Sequence, residues 1–182
     1  MKFVICAGHS NSDPGAVRND VTESALAVEL RKIVALKLRN LGHEVYTDGE
    51  GLNLPLNDAI ALVKKHNCTA LELHFNASAS PSANGVECLG LVKDKKLCQN
   101  ISNGIAGVLG SKVRGDNGFK TQEESARGKL GFVGAGGIIV ETMFLSNETE
   151  YLNYTSKVWL VAQAIVDSLV QWRCDCEVLD LE

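Results

Sequence analysis

Short apolar runs alternate with segments whose apolar positions recur every three or four residues, and this alternation runs through the 182-residue chain. "KFVIC" (2–6) is apolar after its lysine and predicts a buried strand. In "TESALAVELRKIVALKLRNLG" (22–42), apolar residues at 26, 30, 33, 34, 38 and 41 keep helical spacing, and Gly42 suits the C-terminal cap. "HEVYT" (43–47) predicts a second strand, "LPLNDAIALVKKHN" (54–67) a helix, and "TALELHF" (69–75) and "GVECLGLV" (85–92) two further strands. A helix over 95–110 and a glycine-rich stretch over 112–136 precede "GIIVETMFL", a buried strand. A short helix near 147–153 and a longer one over 155–172 complete the pattern.

Alternation at this rhythm predicts one α/β domain, a mostly parallel or mixed twisted sheet with helices on both faces. The domain is expected over 1–173, followed by a short acidic tail over 174–182 that is frayed from about 173. The expected composition is that of a globular protein: 45% apolar and 22% charged residues, net charge −4, pI near 5.6. That balance argues against a nucleic-acid surface. The most apolar stretch, "VWLVAQAIVDSLVQW", is interrupted by Gln163, Asp167 and Ser168 at helical spacing, so no membrane insertion is expected. The N-terminus is too short in apolar residues for a secretory signal, which predicts a protein that is cytoplasmic when made. Cys6, Cys68, Cys88 and Cys98 sit singly in or beside apolar segments, and Cys174 and Cys176 form a C-x-C; all six are read as reduced thiols.

Ligands of open α/β sheets bind beyond the carboxyl ends of the strands, so chemistry-bearing side chains there carry weight. Three ionisable residues meet that condition. His9 follows the first strand in "VICAGHSNSDPGA"; His74 ends "TALELHF"; Glu141 ends "GIIVE". Alternation puts Ala70, Glu72, His74 and Asn76 on one face of their strand and Leu71, Leu73 and Phe75 on the other. A carboxylate directly after a buried aliphatic run is costly unless paired, and a partly dry site would raise its pKa toward general acid–base use. Two histidines, one carboxylate and a position left for water form a recurrent catalytic zinc set. On residue physics alone, Glu23 and Glu29 both qualify as the third ligand. H-E-x-x-H and C-x-x-C are both absent, so such a site must be assembled from distant parts of the chain.

The ordered series "AGHSNSDPGA", "TESALAVELRKIVALKLRNLGHEVYTD", "LHFNAS", "NGVE" and "GIIVETMFLSN" resembles the zinc-dependent N-acetylmuramoyl-L-alanine amidases of the amidase_3 family, which include phage endolysins. The likeness runs from about residue 2 to 170, with "LHFNAS" and "VETMFLSN" its most specific pieces. It implies one Zn²⁺ per chain held by His9, Glu23 and His74, choosing Glu23 over Glu29, with Glu141 as the catalytic glutamate. It implies peptidoglycan as partner and cleavage of the amide between the lactyl group of N-acetylmuramic acid and L-alanine. In that reaction zinc polarises the carbonyl and Glu141 relays a proton to the departing amine. Asn76 and Ser78 are candidate substrate contacts or turn formers, and Glu72 a candidate support for His74 or a solvated charge. Without an export signal, the resemblance points to an endolysin acting on the wall after release from the cytoplasm. Two other readings stay open: another zinc peptidase or amidohydrolase, and a wall-binding protein without turnover.

The series also departs from the family, whose members commonly carry Asp-Pro before the first Gly-His. Here Cys6-Ala7 precedes it and Ser10-Asn11 follows. The remaining features read plainly. His43 and His66 are structural or exposed, Arg114, Lys120 and Arg127 either meet acidic stem-peptide groups or, on the plainer reading, belong to a solvated loop, and Trp159 and Trp172 are packing residues. "GFVGAGGI" lacks G-x-G-x-x-G spacing and permits close backbone approach before the last strand.

Overall fold

A computed structural model describes residues 1–179 of the chain, with side chains through residue 172. In chain order it contains β1 (Lys2–Ala7), β2 (Val17–Arg18), β3 (Val21–Thr22), α1 (Glu23–Asn40), β4 (Glu44–Thr47), α2 (Leu56–His66), β5 (Thr69–Asn76), β6 (Glu87–Leu89), α3 (Lys95–Leu109), β7 (Phe119–Lys120), α4 (Gly131–Gly134), β8 (Ile138–Phe144) and α5 (Glu148–Leu179). Six strands form one sheet in the order β4-β1-β5-β8-β6-β7. The pairs β4–β1, β1–β5, β5–β8 and β6–β7 are parallel, and only β6–β8 is antiparallel. A mostly parallel sheet must be covered on both faces, and this one is. Leu71, Leu73 and Phe75 of β5 pack beneath α1, α3 and α5 with Leu30, Ile101 and Ile165, while Ala70 faces a smaller cluster with Ala59 and Val63 of α2 and Phe132 and Val133 of α4. The face alternation read from "ALELHFN" therefore holds.

Several boundaries differ from expectation. One continuous helix replaces the two expected over 147–172, because no glycine or proline lies between Glu148 and Trp172 to end it. The backbone of α5 reaches Leu179, overlapping the expected tail; the side chains of Cys174 and Cys176 and residues 180–182 lie outside the described residues. The strand expected over 85–92 is only three residues long, flanked by Gly90 and a single 3₁₀ turn over 92–94. The glycine-rich stretch contains the edge strand β7 and the short α4, and a Cβ at Gly137 would collide with the Phe132 ring. Trp159 is a correction: it lies on the outer face of α5, 54% exposed, with the Lys37 ammonium over its ring at 5.4 Å. Trp172 does pack against the core. His43 meets Phe3 edge-on and His66 stacks on Tyr46, both outside the cleft described below. Cys6, Cys88 and Cys98 carry free thiols. Among the described residues, no helix is long and apolar enough to cross a membrane.

A buried ion pair sits under the β1–β4 end of the sheet. Arg31 of α1 and Asp48 are both about fully buried; Nη1 donates to Oδ1 at 2.5 Å and Nη2 to the Leu52 carbonyl. Asp48 also accepts from the Ala7 amide. The segment after it is thereby pinned against the end of β1: Asn53 Nδ2 donates to the Gly8 carbonyl at 2.7 Å, and Asn53 and Asn11 exchange two further bonds.

Candidate metal and catalytic site

The chain reverses sharply after β1. His9 takes a left-handed φ of 67°, a conformation unusual for a residue with a Cβ, and the bonds to Ala7, Gly8 and Asn11 hold it there. Its imidazole points back across the sheet end: Nδ1 lies 3.0 Å from Asp13 Oδ2 and Nε2 2.9 Å from Glu23 Oε2. Asp13 and the Asn53 clamp support this loop. Glu23 opens α1, where Thr22 caps the helix by accepting from the Ala25 amide. An acid in a first helical turn needs no explanation beyond the helix dipole. This one, however, is 5% exposed and takes four hydrogen bonds. Oε2 accepts from the Ala16 amide and meets His9, and Oε1 accepts from the Phe75 amide and meets His74 Nδ1, each at 2.9–3.0 Å.

His74 comes from β5, and its Nε2 lies 3.2 Å from Glu72 Oε2 two residues earlier on the same face. The two imidazoles are 5.1 Å apart, edge to face. His9, Glu23 and His74 each offer a ligand atom, all within 4.8 Å of one another. Two glycines make the gathering sterically feasible. A Cβ at Gly8 would lie 2.3 Å from the His74 ring, and one at Gly15 would lie 2.5 Å from His9 Nε2. Burial works against charge on these groups, yet the bonds to Glu23 and Glu72 hold the His74 pKa well above its ordinary value. Bonds to Glu23 and Asp13 raise that of His9 in the same way. Burial likewise opposes ionisation of Glu23, and the two histidines overcome it, keeping the carboxyl well below the usual range. The three side chains thus form a nest of matched charge that a cation can enter by displacing protons.

Glu141 stands beside this nest. Its Cα is the register partner of His74 across β5–β8 and of Glu87 across β8–β6. Its Oε2 is buried without a hydrogen-bond partner, and burial together with the charges of Glu23 and Glu87 pushes its pKa up to about 7. The orphaned carboxylate oxygen and the two-histidine, one-carboxylate donor set fit a divalent cation of zinc type plus a water. All these groups line one open cleft of about 1100 Å³, whose other wall is apolar and includes Leu56, Leu130 and Phe132.

Of the remaining expected residues, Glu72 and Asn76 line the cleft. Ser78 does not; its Oγ accepts from the Ser80 amide and its own amide donates to Ser146 Oγ, within the loop after β5. Arg114 and Lys120 are corrections to the solvated-loop reading. Each donates at 2.7 Å to Oε2 of Glu87, a 5%-exposed residue that sequence reasoning passed over. Its signal was present: a lone carboxylate inside the apolar run "GVECLGLV" needs buried partners.

Carboxylates and imidazoles gathered where parallel strands end suit an enzyme that hydrolyses a carbonyl compound. The family model described as N-acetylmuramoyl-L-alanine amidase, Amidase_3, matches residues 3–171, and the chain belongs to that family. A Neisseria meningitidis protein described as a candidate N-acetylmuramoyl-L-alanine amidase has a crystal structure similar to this chain. The two share 40% identity and a TM-score of 0.87, over 93% of this chain and 94% of that one. The catalytic domain of CwlV from Bacillus (Paenibacillus) polymyxa var. colistinus shares the fold at TM-score 0.79 and 21% identity, over 94% and 98% of the two chains. N-acetylmuramoyl-L-alanine amidase LytC of Bacillus subtilis (strain 168) is 26% identical over 174 residues, 91% of this chain. The chain spans 34% of that curated relative's length.

Proposed function

We propose that the chain is a zinc-dependent peptidoglycan amidase that cleaves the bond between the lactyl carbonyl of N-acetylmuramic acid and the amine of L-alanine. The observation that carries this reading is the convergence of His9, Glu23 and His74 within 4.8 Å beside the orphaned carboxylate oxygen of Glu141. Membership of the amidase family supports the choice of bond. His9, Glu23 and His74 hold the ion, and Asp13 and Glu72 orient the imidazoles from behind. When bound, the zinc ion supplies Lewis acidity, polarising the scissile carbonyl and lowering the pKa of water at the site.

Glu141 performs the proton work. As a carboxylate it takes a proton from the attacking water, whose oxygen forms the new bond to the carbonyl carbon. It then delivers that proton to the alanine nitrogen as the C–N bond breaks, giving a carboxylic acid and a free amine. A pKa raised by burial suits a group that must be base and acid in one turnover.

The test is digestion of purified peptidoglycan with mass spectrometry of the products. Stem peptides beginning with a free L-alanine amine, lost on chelation and restored by zinc, are expected. Cuts at other bonds, or cleavage indifferent to chelation, would overturn the reading. Glu141→Gln separates an enzyme from a wall-binding protein: it should keep bound zinc and lose hydrolysis. An endolysin role is the physiological setting we attach to this activity. The catalytic domain of the CD27L endolysin has the same fold (TM-score 0.72, 21% identity), and the role requires that the protein lyse intact cells once it reaches the wall.

A further inference from the structure

Within the cleft, the mechanism above leaves unused the buried carboxylate of Glu87 and the two cations bonded to it. Glu87 lies on the same sheet face as Glu141, one strand further along, and its Cα is the register partner of Glu141. Two cations donate to the same oxygen of Glu87, Arg114 through Nε and Lys120 through Nζ, both at 2.7 Å. The other oxygen accepts from Asn76 Nδ2 at 3.3 Å. One negative charge is thus set against two positive ones, which leaves the group net positive at the cleft surface. The placement is built rather than incidental. The Arg114 stem runs over Gly85, where a Cβ would lie 2.8 Å from its Cγ, and the guanidinium rests on the Phe144 ring at 4.9 Å. Glu124 and Arg127, which also line the cleft, carry opposite charges and leave that balance unchanged.

We infer that Arg114 and Lys120, held on Glu87, form the subsite for a free α-carboxylate on the second residue of the stem peptide. The inference rests on the amide-hydrolase reading and names the substrate class that the same cleft prefers. The geometry fits. Glu87 stands opposite Glu141 on the neighbouring strand, about 5 Å away, and the cations extend one hydrogen bond beyond it. Residues of an extended peptide advance by about 3.5 Å, so a carboxylate on the second residue lies about 7 Å along the chain from the scissile amide, within reach of cations set just beyond Glu87. A carboxylate there balances the second cation; a carboxamide leaves it unbalanced.

The experiment compares two soluble muropeptides that differ only in carrying the α-carboxylate or the α-carboxamide on the second residue. The zinc-loaded wild-type protein is expected to favour the acid by roughly ten- to hundredfold in kcat/KM, the range for a charge-assisted contact. Arg114→Gln and Lys120→Met should each bring that ratio toward one, whereas Lys120→Arg should retain the preference. The ratio is internal to each protein, so a loss of folded fraction does not alter it. A wild-type ratio near one, or variants that slow both substrates in proportion, would overturn the subsite and leave the hydrolase reading intact. Wild-type protein that binds zinc and cleaves neither muropeptide would overturn both.

Discussion

Glutamine at position 141 should stabilise the metal-free protein, and by an amount that grows with pH. The orphaned oxygen of Glu141 is buried, and burial beside Glu23 and Glu87 lifts its pKa from an ordinary 4.5 to about 7. In the unfolded chain the carboxyl ionises near 4.5; in the folded protein it resists ionisation until about 7. An acid whose folded pKa is the higher one costs no stability below the unfolded value. Its penalty grows as pH rises between the two values and levels off above the folded one. The displacement of about 2.5 units corresponds to a penalty of about 3 kcal/mol at pH 8 and about 1 kcal/mol at pH 5. A glutamine also leaves a buried polar group unpaired, but that cost does not vary with pH. The stability gap between Glu141→Gln and wild type should therefore widen in favour of the variant by about 2 kcal/mol from pH 5 to pH 8. Urea unfolding of both proteins in excess chelator at the two pH values reads it directly. A gap that stays constant would mean Glu141 titrates like an exposed carboxyl, and the acid–base role derived from its burial would lose its basis.

Other expectations follow from contacts already described. Gly8→Ala puts a methyl against the His74 ring and should lower activity by at least about a hundredfold, measured as amine release from soluble muropeptide. His9→Ala and His74→Ala should each lose the zinc that wild type retains through dialysis, assayed by metal analysis. Retention by both would refute the ligand set. Glu72→Gln weakens support behind His74 and should reduce zinc affinity by about ten- to hundredfold in competition with a chromogenic chelator. Arg31→Met strands the buried Asp48 carboxylate and should cost about 3–5 kcal/mol in urea unfolding, with the His9 loop loosened as a consequence.

Much of the architecture was legible because helical and alternating periods were clean where elements are long. Strand β5 shows this best: alternation in "ALELHFN" separated the cleft face from the core face, and Leu71, Leu73 and Phe75 join the large core cluster while Glu72, His74 and Asn76 line the cleft. Short elements left no such trace. Strands β6 and β7 have three and two residues, too few to carry a period, so neither the antiparallel step at β6 nor the edge position of Lys120 could be read. Trp159 was misread because one large aromatic at a helical position does not say which way the helix face turns. At the site, His9, His74 and Glu141 were visible as ionisable residues at strand ends. Glu23 was not separable from Glu29 by residue physics, since acids at a helix start are common, and only the likeness to the amidases singled it out. Glu87 was lost inside an apolar word, and with it the reason Arg114 and Lys120 face the cleft.

The order in which ribosomal synthesis delivers the parts gives the sheet topology a biological meaning. His9, Glu23 and His74 all lie within the first 76 residues, on β1, α1 and β5 or the turn between them. Glu141 is made some 65 residues later, on a strand that must insert between β5 and β6 at the middle of the sheet. A chain that ends before β8 would carry the three proposed ligands and lack the group proposed to move the proton. Under the proposed function, the group that moves the proton is therefore the last of the four to join the sheet.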